Sequence, residues 1–124
     1  MSYPSALALT LLVEVPLYTV ALVRVGGIRP ARAATAAVLV NLVTHPLLWW
    51  SLSRCAAWTA GAGGSGAAYW TAFVAGETAV CVVEAALLRP LTGLRPGGPL
   101  PWAVAGTANA ASVLAGMVAG SLLR

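Results

Sequence analysis

The sequence predicts an all-α protein that crosses a membrane four times, with its four transmembrane helices paired as two tandem helical hairpins. Of the 124 residues, 60% are hydrophobic and only 8% are charged, whereas soluble globular domains carry about 25% charged residues. The mean hydropathy is +0.87. Four apolar segments reach the roughly 20 residues that a helix needs to cross a hydrocarbon core of about 30 Å. These segments cover about residues 5–23, 33–52, 69–88 and 101–123.

The four segments leave no room for a soluble domain, so we expect a single transmembrane domain over residues 1–124. The first hairpin covers about residues 5–52 and the second about residues 69–123. An outer loop rich in Gly, Ala and Ser joins them at about residues 53–68. No basic residue precedes the first apolar segment, and Glu14 and Pro16 lie within it. It therefore differs from a signal peptide and is predicted to be a retained helix.

The distribution of arginine predicts the orientation in the membrane. Five of the seven arginines lie in or beside the first and third connections (Arg24, Arg29, Arg32, Arg89 and Arg95), and two lie on the other side (Arg54 and Arg124). Because cytoplasmic loops are enriched in basic residues, both termini are predicted to face away from the cytoplasm. Aromatic residues near the predicted outer helix ends, which are typical of a membrane interface, are Tyr3, Trp49, Trp50, Trp58, Tyr69 and Trp70, with Trp102 at the inner side.

Composition also predicts where the protein resides and what it contacts. The chain has no lysine and is rich in Ala, Gly and Arg, which indicates a GC-rich bacterium and hence its inner membrane. The net charge of +4 is explained by the orientation and by attraction to anionic lipid. The lipid bilayer is therefore an expected partner, and nucleic acid is not.

The two hairpins contain the same short features in the same order, and these recur after 65–68 residues. They are Arg24 and Arg89, the turns Gly27-Ile28-Arg29-Pro30 and Gly93-Leu94-Arg95-Pro96, and the pairs Asn41-x-x-Thr44 and Asn109-x-x-Ser112. Glu14 corresponds to Glu77 or Glu84. This pattern predicts an internal duplication with a pseudo-twofold axis along the membrane normal, as in transporters built from parallel repeats.

All three acidic residues and the only histidine lie inside the apolar segments. An acid at a helix centre opposes insertion by about 2.5–3.5 kcal/mol, and such residues usually mark functional sites. At 1.5 Å of rise per residue, Glu84 is predicted to lie about 10 Å closer to the cytoplasm than Glu77. The predicted polar site consists of Glu14, Asn41, Thr44, His45, Glu77, Glu84, Asn109 and Ser112, with no catalytic residue assigned.

The first interpretation of this site is the translocation or exchange of protons or small cations. Carboxyl groups that lose water in a bilayer exchange protons at accessible pH, and histidine changes charge near neutral pH. Glu14, His45, Glu77 and Glu84 would relay or couple the ions. A channel, an antiporter and a coupled transporter all fit.

Three alternatives stay open. His45, Glu14 and Glu77 could hold a divalent metal ion, although the Glu-x-x-His pairs of di-iron bundles are absent from the sequence. Cys81 with His45 as its base could form an intramembrane enzyme, but a mid-helix cysteine is more typical of a small buried hydrophobe. The polar groups could also fix helix pairing in a homodimer or a helper subunit of a larger membrane complex, since such bonds contribute roughly 0.6–2 kcal/mol each.

Ser112, Gly116 and Gly120 form a small-residue stripe typical of close packing or a dimer seam.

Four helices with a glutamate in the first resemble the architecture of small multidrug resistance transporters, which implies proton-coupled transport through Glu14. The chain departs from that family by adding His45, Glu77 and Glu84, by lacking its aromatic substrate box and the surroundings of its helix 1 glutamate, and by its repeated hairpins. The full pattern of Glu14, Asn41-x-x-Thr44-His45-Pro46, Glu77-x6-Glu84 and Asn109-x-x-Ser112 resembles a group of small prokaryotic four-helix membrane proteins without established function. This second resemblance spans all four helices and implies that these residues form one site.

Overall fold

The computed structural model describes residues 2–61, 66–95 and 97–122, with the side chains of residues 58–61 excepted. Pro96 of the second predicted turn, Arg124 and the side chain of Trp58 therefore lie outside the described part of the chain. The same is true of residues 62–65, within the loop predicted to join the two hairpins.

The described chain forms four α-helices: α1 covers Tyr3–Arg24, α2 Pro30–Gly61, α3 Gly66–Thr92 and α4 Leu100–Leu122. All four are long and apolar enough to cross a membrane, which confirms the predicted all-α, four-helix architecture expected of a multi-pass membrane protein. Helix α2 continues past residue 52 to Gly61, into the stretch predicted as loop. No Pro or Gly interrupts residues 53–60, so the helix ends only where glycine becomes frequent.

The helices form a ring in which each packs against its two neighbours. Contacts join α1 with α2, α2 with α3, α3 with α4, and α4 with α1. Within the described residues, the helices that face each other across the ring, α1 with α3 and α2 with α4, do not approach closely through their backbones. The inward faces of the four helices therefore surround a common centre.

One end of the ring is tightly packed, and we call it the closed end. It contains the connections between α1 and α2 and between α3 and α4. The buried apolar residues belong to this half: Tyr18, Leu22, Ala33, Ala36, Ala37, Val40, Ala85, Leu88, Val104, Ala105 and Ala108. Six of these eleven are alanine, and small side chains allow membrane helices to approach closely.

Local contacts hold the two connections at the closed end. Gly27 and Gly93 have φ angles of 66° and 76°, a left-handed conformation that glycine adopts without steric penalty. The Nε atom of Arg32 donates to the carbonyl oxygen of Leu91 at 2.7 Å. This bond satisfies a carbonyl in the last turn of α3, where helix carbonyls lack internal partners, and it fixes the start of α2 against the end of α3.

Candidate functional site

The centre of the ring contains a cavity of about 710 Å³. It extends from the middle of the bundle to the end opposite the closed end, which we call the open end. Residues from the first turns of α1 and α3 and the last turns of α4 line its mouth, among them Ala6, Tyr69 and Ser121. All three glutamates and His45 line the cavity. Among the described residues, no arginine does.

Glu84 lies at the base of the cavity, where its carboxylate accepts hydrogen bonds from three other helices. The hydroxyl of Tyr18 on α1 and the Nδ2 group of Asn109 on α4 donate to Oε2, the latter at 2.6 Å. The hydroxyl of Thr44 on α2 donates to Oε1 at 2.7 Å. All four side chains are buried. Glu84 therefore joins the four helices at the boundary between the cavity and the closed end.

Glu14 is buried to the same degree, yet it is bonded differently. Only 2% of the residue is exposed, and its carboxyl group lies beside the side chains of Asn41 and Ser112. Its Oε2 atom is buried and has no hydrogen-bond partner. A buried carboxyl oxygen without a donor is unfavourable by about 1–3 kcal/mol or more, so this atom is an unfilled acceptor on the cavity wall.

The two asparagines are anchored in the same way. The Nδ2 group of Asn41 donates to the carbonyl oxygen of Ala37 at 3.0 Å, and that of Asn109 donates to the carbonyl oxygen of Ala105 at 2.9 Å. Each bond reaches back one turn along its own helix. Asn41 lies beside Glu14, whereas Asn109 also donates to Glu84. Each buried carboxyl group thus has one amide next to it.

Glu77 and His45 lie nearer to the mouth of the cavity and are only partly buried. The Nδ1 atom of His45 is buried without a hydrogen-bond partner, and the imidazole packs against the ring of Tyr3 at a centroid distance of 5.7 Å. Glu77 forms no hydrogen bond within the described part of the chain. Both groups are therefore free to interact with a molecule that enters the cavity.

Aromatic rings surround the mouth of the cavity. Tyr69, Trp70 and Phe73 on α3 face Trp49 on α2, and the ring of Tyr3 contacts Trp49 at a centroid distance of 5.5 Å. Of the residues predicted to lie at the membrane interface, Trp49, Tyr69 and Trp70 line the cavity.

Glycine widens the cavity wall that α4 forms. A Cβ atom added at Gly116 or Gly120 would meet nothing within 4 Å, and both residues line the cavity. In this structure Gly116 and Gly120 therefore make room in the cavity, whereas Ser112, the first residue of the small-residue stripe, contacts α1 by donating a hydrogen bond from its hydroxyl to the Oγ1 atom of Thr10 at 3.3 Å.

The structure brings all eight predicted site residues to the wall of one cavity, and it differs from the prediction in two respects. Glu84 lies deeper in the cavity than Glu77, but its carboxylate also bonds to Thr44 and Asn109, so it forms one cluster with groups that were predicted to lie nearer the midplane. Tyr18, which was not among the predicted site residues, completes the Glu84 cluster. Its position four residues after Glu14, on the same helix face, is the sequence signal that points to it.

The arrangement gives little support to metal or thiol chemistry. Among the described residues, no three His, Cys, Asp or Glu side chains come together closely enough to hold a metal ion. Cys81 does not line the main cavity, which contains His45, and its Sγ atom lies 4.0 Å from the carbonyl oxygen of Ala105. What the site offers is carboxyl oxygens in an apolar cavity that opens at one end. Comparison with protein-family models, characterised proteins and solved structures gives no match to this chain.

Proposed function

We propose that this protein is a membrane transporter that exchanges a small cation against protons. The observation that carries the proposal is the convergence of all three glutamates on one cavity, in which the Oε2 atom of Glu14 has no partner. Among the described residues no arginine lines this cavity, and carboxylates without such a counter-charge attract cations into a low-dielectric cavity. A carboxyl group in such a place holds either a proton or another cation, which is the chemistry that exchange requires.

The closed end favours a transporter over a channel. A channel needs a continuous path, whereas this cavity ends at the packed core around Tyr18, Leu22 and Leu88. A cavity open at one end and blocked at the other is the arrangement of a transporter in one of its two access states. The arginine distribution predicts that the closed end faces the cytoplasm, so the cavity would open away from it.

The internal duplication belongs to the same proposal. It is supported by the left-handed Gly27 and Gly93 in the two connections and by the matching backbone bonds of Asn41 and Asn109. Glu14 lies beside Asn41 and Ser112, and Glu84 bonds to the corresponding Asn109 and Thr44. Glu84, instead of Glu77, is then the counterpart of Glu14 in the second hairpin. Rocking of one hairpin against the other would exchange the two access states.

Proton movement in liposomes tests the proposal. Purified protein is reconstituted into liposomes with an internal pH dye, and gradients of Na⁺, K⁺ and methylammonium are imposed one at a time. In the Na⁺ and methylammonium experiments, valinomycin with equal K⁺ on both sides holds the membrane voltage at zero. We expect at least one cation gradient to drive protein-dependent proton movement in the opposite direction. Glu14→Gln should abolish it, because the amide cannot take up and release a proton.

The matched control is Leu12→Ala, which changes the same helix at a residue that is 72% exposed and points away from the cavity. It should transport at the rate of the unaltered protein. Proton movement that needs only an electrical potential and no cation gradient would contradict exchange and indicate a channel. The absence of any protein-dependent proton movement would contradict the proposal as a whole.

A further inference from the structure

We propose that the cavity binds a protonated organic amine that retains at least one N–H group, and that this group donates to the free Oε2 atom of Glu14. The inference rests on the proposed cation exchange and names the class of cation. It is carried by the size of the cavity, by the aromatic residues at its mouth and by a difference between the two buried carboxyl groups.

The size and the wall of the cavity suit an organic molecule better than a bare ion. Its volume of about 710 Å³ lies within the range of roughly 300–1,000 Å³ that is usual for sites of drug-sized ligands. Apolar and aromatic groups predominate near the mouth, whereas Glu14 and Glu84 lie deeper. The apolar and aromatic lining residues include Leu9, Leu48, Trp49, Tyr69, Trp70 and Phe73. A ligand with a charged group at one end and an apolar body at the other would match both regions.

The two buried carboxyl groups show what the ligand must supply. Glu84 accepts a hydrogen bond from Tyr18, which lies four residues after Glu14 on α1. The residue four positions after Glu84 on α3 is Leu88, which has no donor. Glu14 therefore lacks the equivalent of the tyrosine hydroxyl that its counterpart receives, the neighbouring Ser112 hydroxyl donates to Thr10 instead, and the Oε2 atom stays unpartnered. The missing group is a hydrogen-bond donor that comes from outside the chain.

Charge decides between a neutral donor and a cationic one. Among the described residues that line the cavity, three are glutamates and none is arginine. A hydrogen bond between an ionised donor and a carboxylate is roughly twice as strong as a neutral one. The aromatic faces near the mouth also favour a cation. A protonated amine satisfies all three conditions, whereas an alcohol satisfies only the need for a donor.

A methylation series tests the need for the N–H group. Binding of 2-phenylethylamine and of its N-methyl, N,N-dimethyl and N,N,N-trimethyl derivatives to the purified protein is measured at pH 7 by isothermal titration calorimetry. The first three compounds carry a proton on nitrogen, and the fourth has the same charge without one. We expect affinity to change little over the first three and to fall about tenfold or more at the fourth, because one hydrogen bond to a charged group is lost.

Three variants locate the site. Glu14→Gln should remove most of the binding of 2-phenylethylamine. Gly116→Leu should do the same by filling the cavity from α4 without changing any carboxyl group, so it keeps the test valid if Glu14→Gln folds poorly. Ala103→Leu is the control, since Ala103 lies on the same helix, is exposed, and lies outside the lining of this cavity.

The outcomes separate this inference from the proposed exchange. If the trimethyl compound binds as tightly as the dimethyl compound, or if Glu14→Gln leaves binding unchanged, the inference is wrong. If none of the four amines binds while Glu14-dependent proton exchange with an inorganic cation is present, the inference is also wrong, although the proposed function stands. Binding that follows the expected pattern without any proton movement would support the inference and contradict the exchange.

Discussion

The closed and open halves of the bundle are made by the same four helices, yet their facing residues differ in size. In the closed half the helices meet through small side chains such as Ala37, Ala85 and Ala105, all fully buried. In the open half the inward positions carry large side chains such as Trp49 and Phe73. Small residues allow backbones to approach and large ones hold them apart. On α2 and α3, side-chain size along the inner face therefore differs between the packed half and the cavity, whereas on α4 Gly116 and Gly120 leave open space in the cavity.

The polar groups at the boundary between the halves differ in the same way. Glu84, on the closed side, has donors for both of its oxygens. Glu14, on the cavity wall, has an oxygen without a donor. The first carboxyl group connects helices, and the second is left for a ligand or a proton. Although both residues are buried acids in apolar helices, we therefore expect their replacements to have opposite effects on stability.

The largest difference in the free energy of unfolding is expected between Glu84→Leu and Glu14→Leu. Removing the Glu84 carboxylate leaves the Tyr18 hydroxyl and one Asn109 N–H without an acceptor, whereas the single proton of the Thr44 hydroxyl can turn to the carbonyl oxygen of Val40, which lies 2.9 Å away. Each unpaired buried donor destabilises by about 1–3 kcal/mol, so the free energy of unfolding should fall by about 3 kcal/mol. Glu14→Leu removes an unsatisfied group and should leave stability unchanged or raise it.

Reversible unfolding in mixed detergent micelles, followed by circular dichroism, measures both variants. The pair Glu84→Gln and Glu14→Gln serves as a control for side-chain shape, and Glu84→Gln should lose less than Glu84→Leu, because the amide oxygen still accepts a bond. Equal losses for the two leucine variants would show that the carboxyl groups do not differ as the hydrogen bonds indicate.

A smaller difference in stability is expected when a small residue is replaced by leucine in each half. Ala37→Leu adds three carbon atoms where α2 is fully buried, and overpacking of this kind destabilises by about 1–3 kcal/mol. Gly116→Leu adds a larger group beside the cavity, where a new Cβ meets nothing within 4 Å. It should leave the thermal midpoint within a few degrees of that of the unaltered protein. A large fall in the thermal midpoint of Gly116→Leu would mean that the space beside Gly116 cannot accept a larger side chain.

The sequence was sufficient to predict the four helices and the residues that meet in the cavity. Membrane length and the unfavourable insertion of Glu14, Glu77 and Glu84 both leave strong local signals. The hydrogen-bond partners of Glu84 were less predictable because helical rise gives the depth of a Cα atom, not the reach of a side chain across the ring. The Tyr18 hydroxyl contacts a glutamate 66 residues away, and no local pattern encodes that pairing.

The open and closed halves were harder still to predict. Small and large residues are both common in membrane helices, and only the inward ones matter. Trp49 and Trp70 fit a membrane interface as well as a cavity wall, because both places suit an amphipathic ring. The difference emerges only when the ring of helices specifies which faces meet.

The smallest expected difference concerns two glycines, Gly26 and Gly76, each replaced by alanine. A Cβ atom at Gly26 would lie 2.7 Å from the carbonyl oxygen of Leu22 and 3.2 Å from a methyl group of Leu100. At Gly76 it would lie 2.8 Å from the Cδ1 atom of Leu48, which is the end of a flexible side chain beside the cavity. The backbone of Leu22 cannot move without disturbing the closed end, whereas the Leu48 side chain can turn into free space.

We expect Gly26→Ala to destabilise by about 1 kcal/mol. Gly76→Ala should be neutral or slightly stabilising, because alanine favours a helix over glycine by about 1 kcal/mol. The unfolding assay used for the glutamate variants measures both, and an equal loss in the two would indicate that the open half is as tightly packed as the closed one.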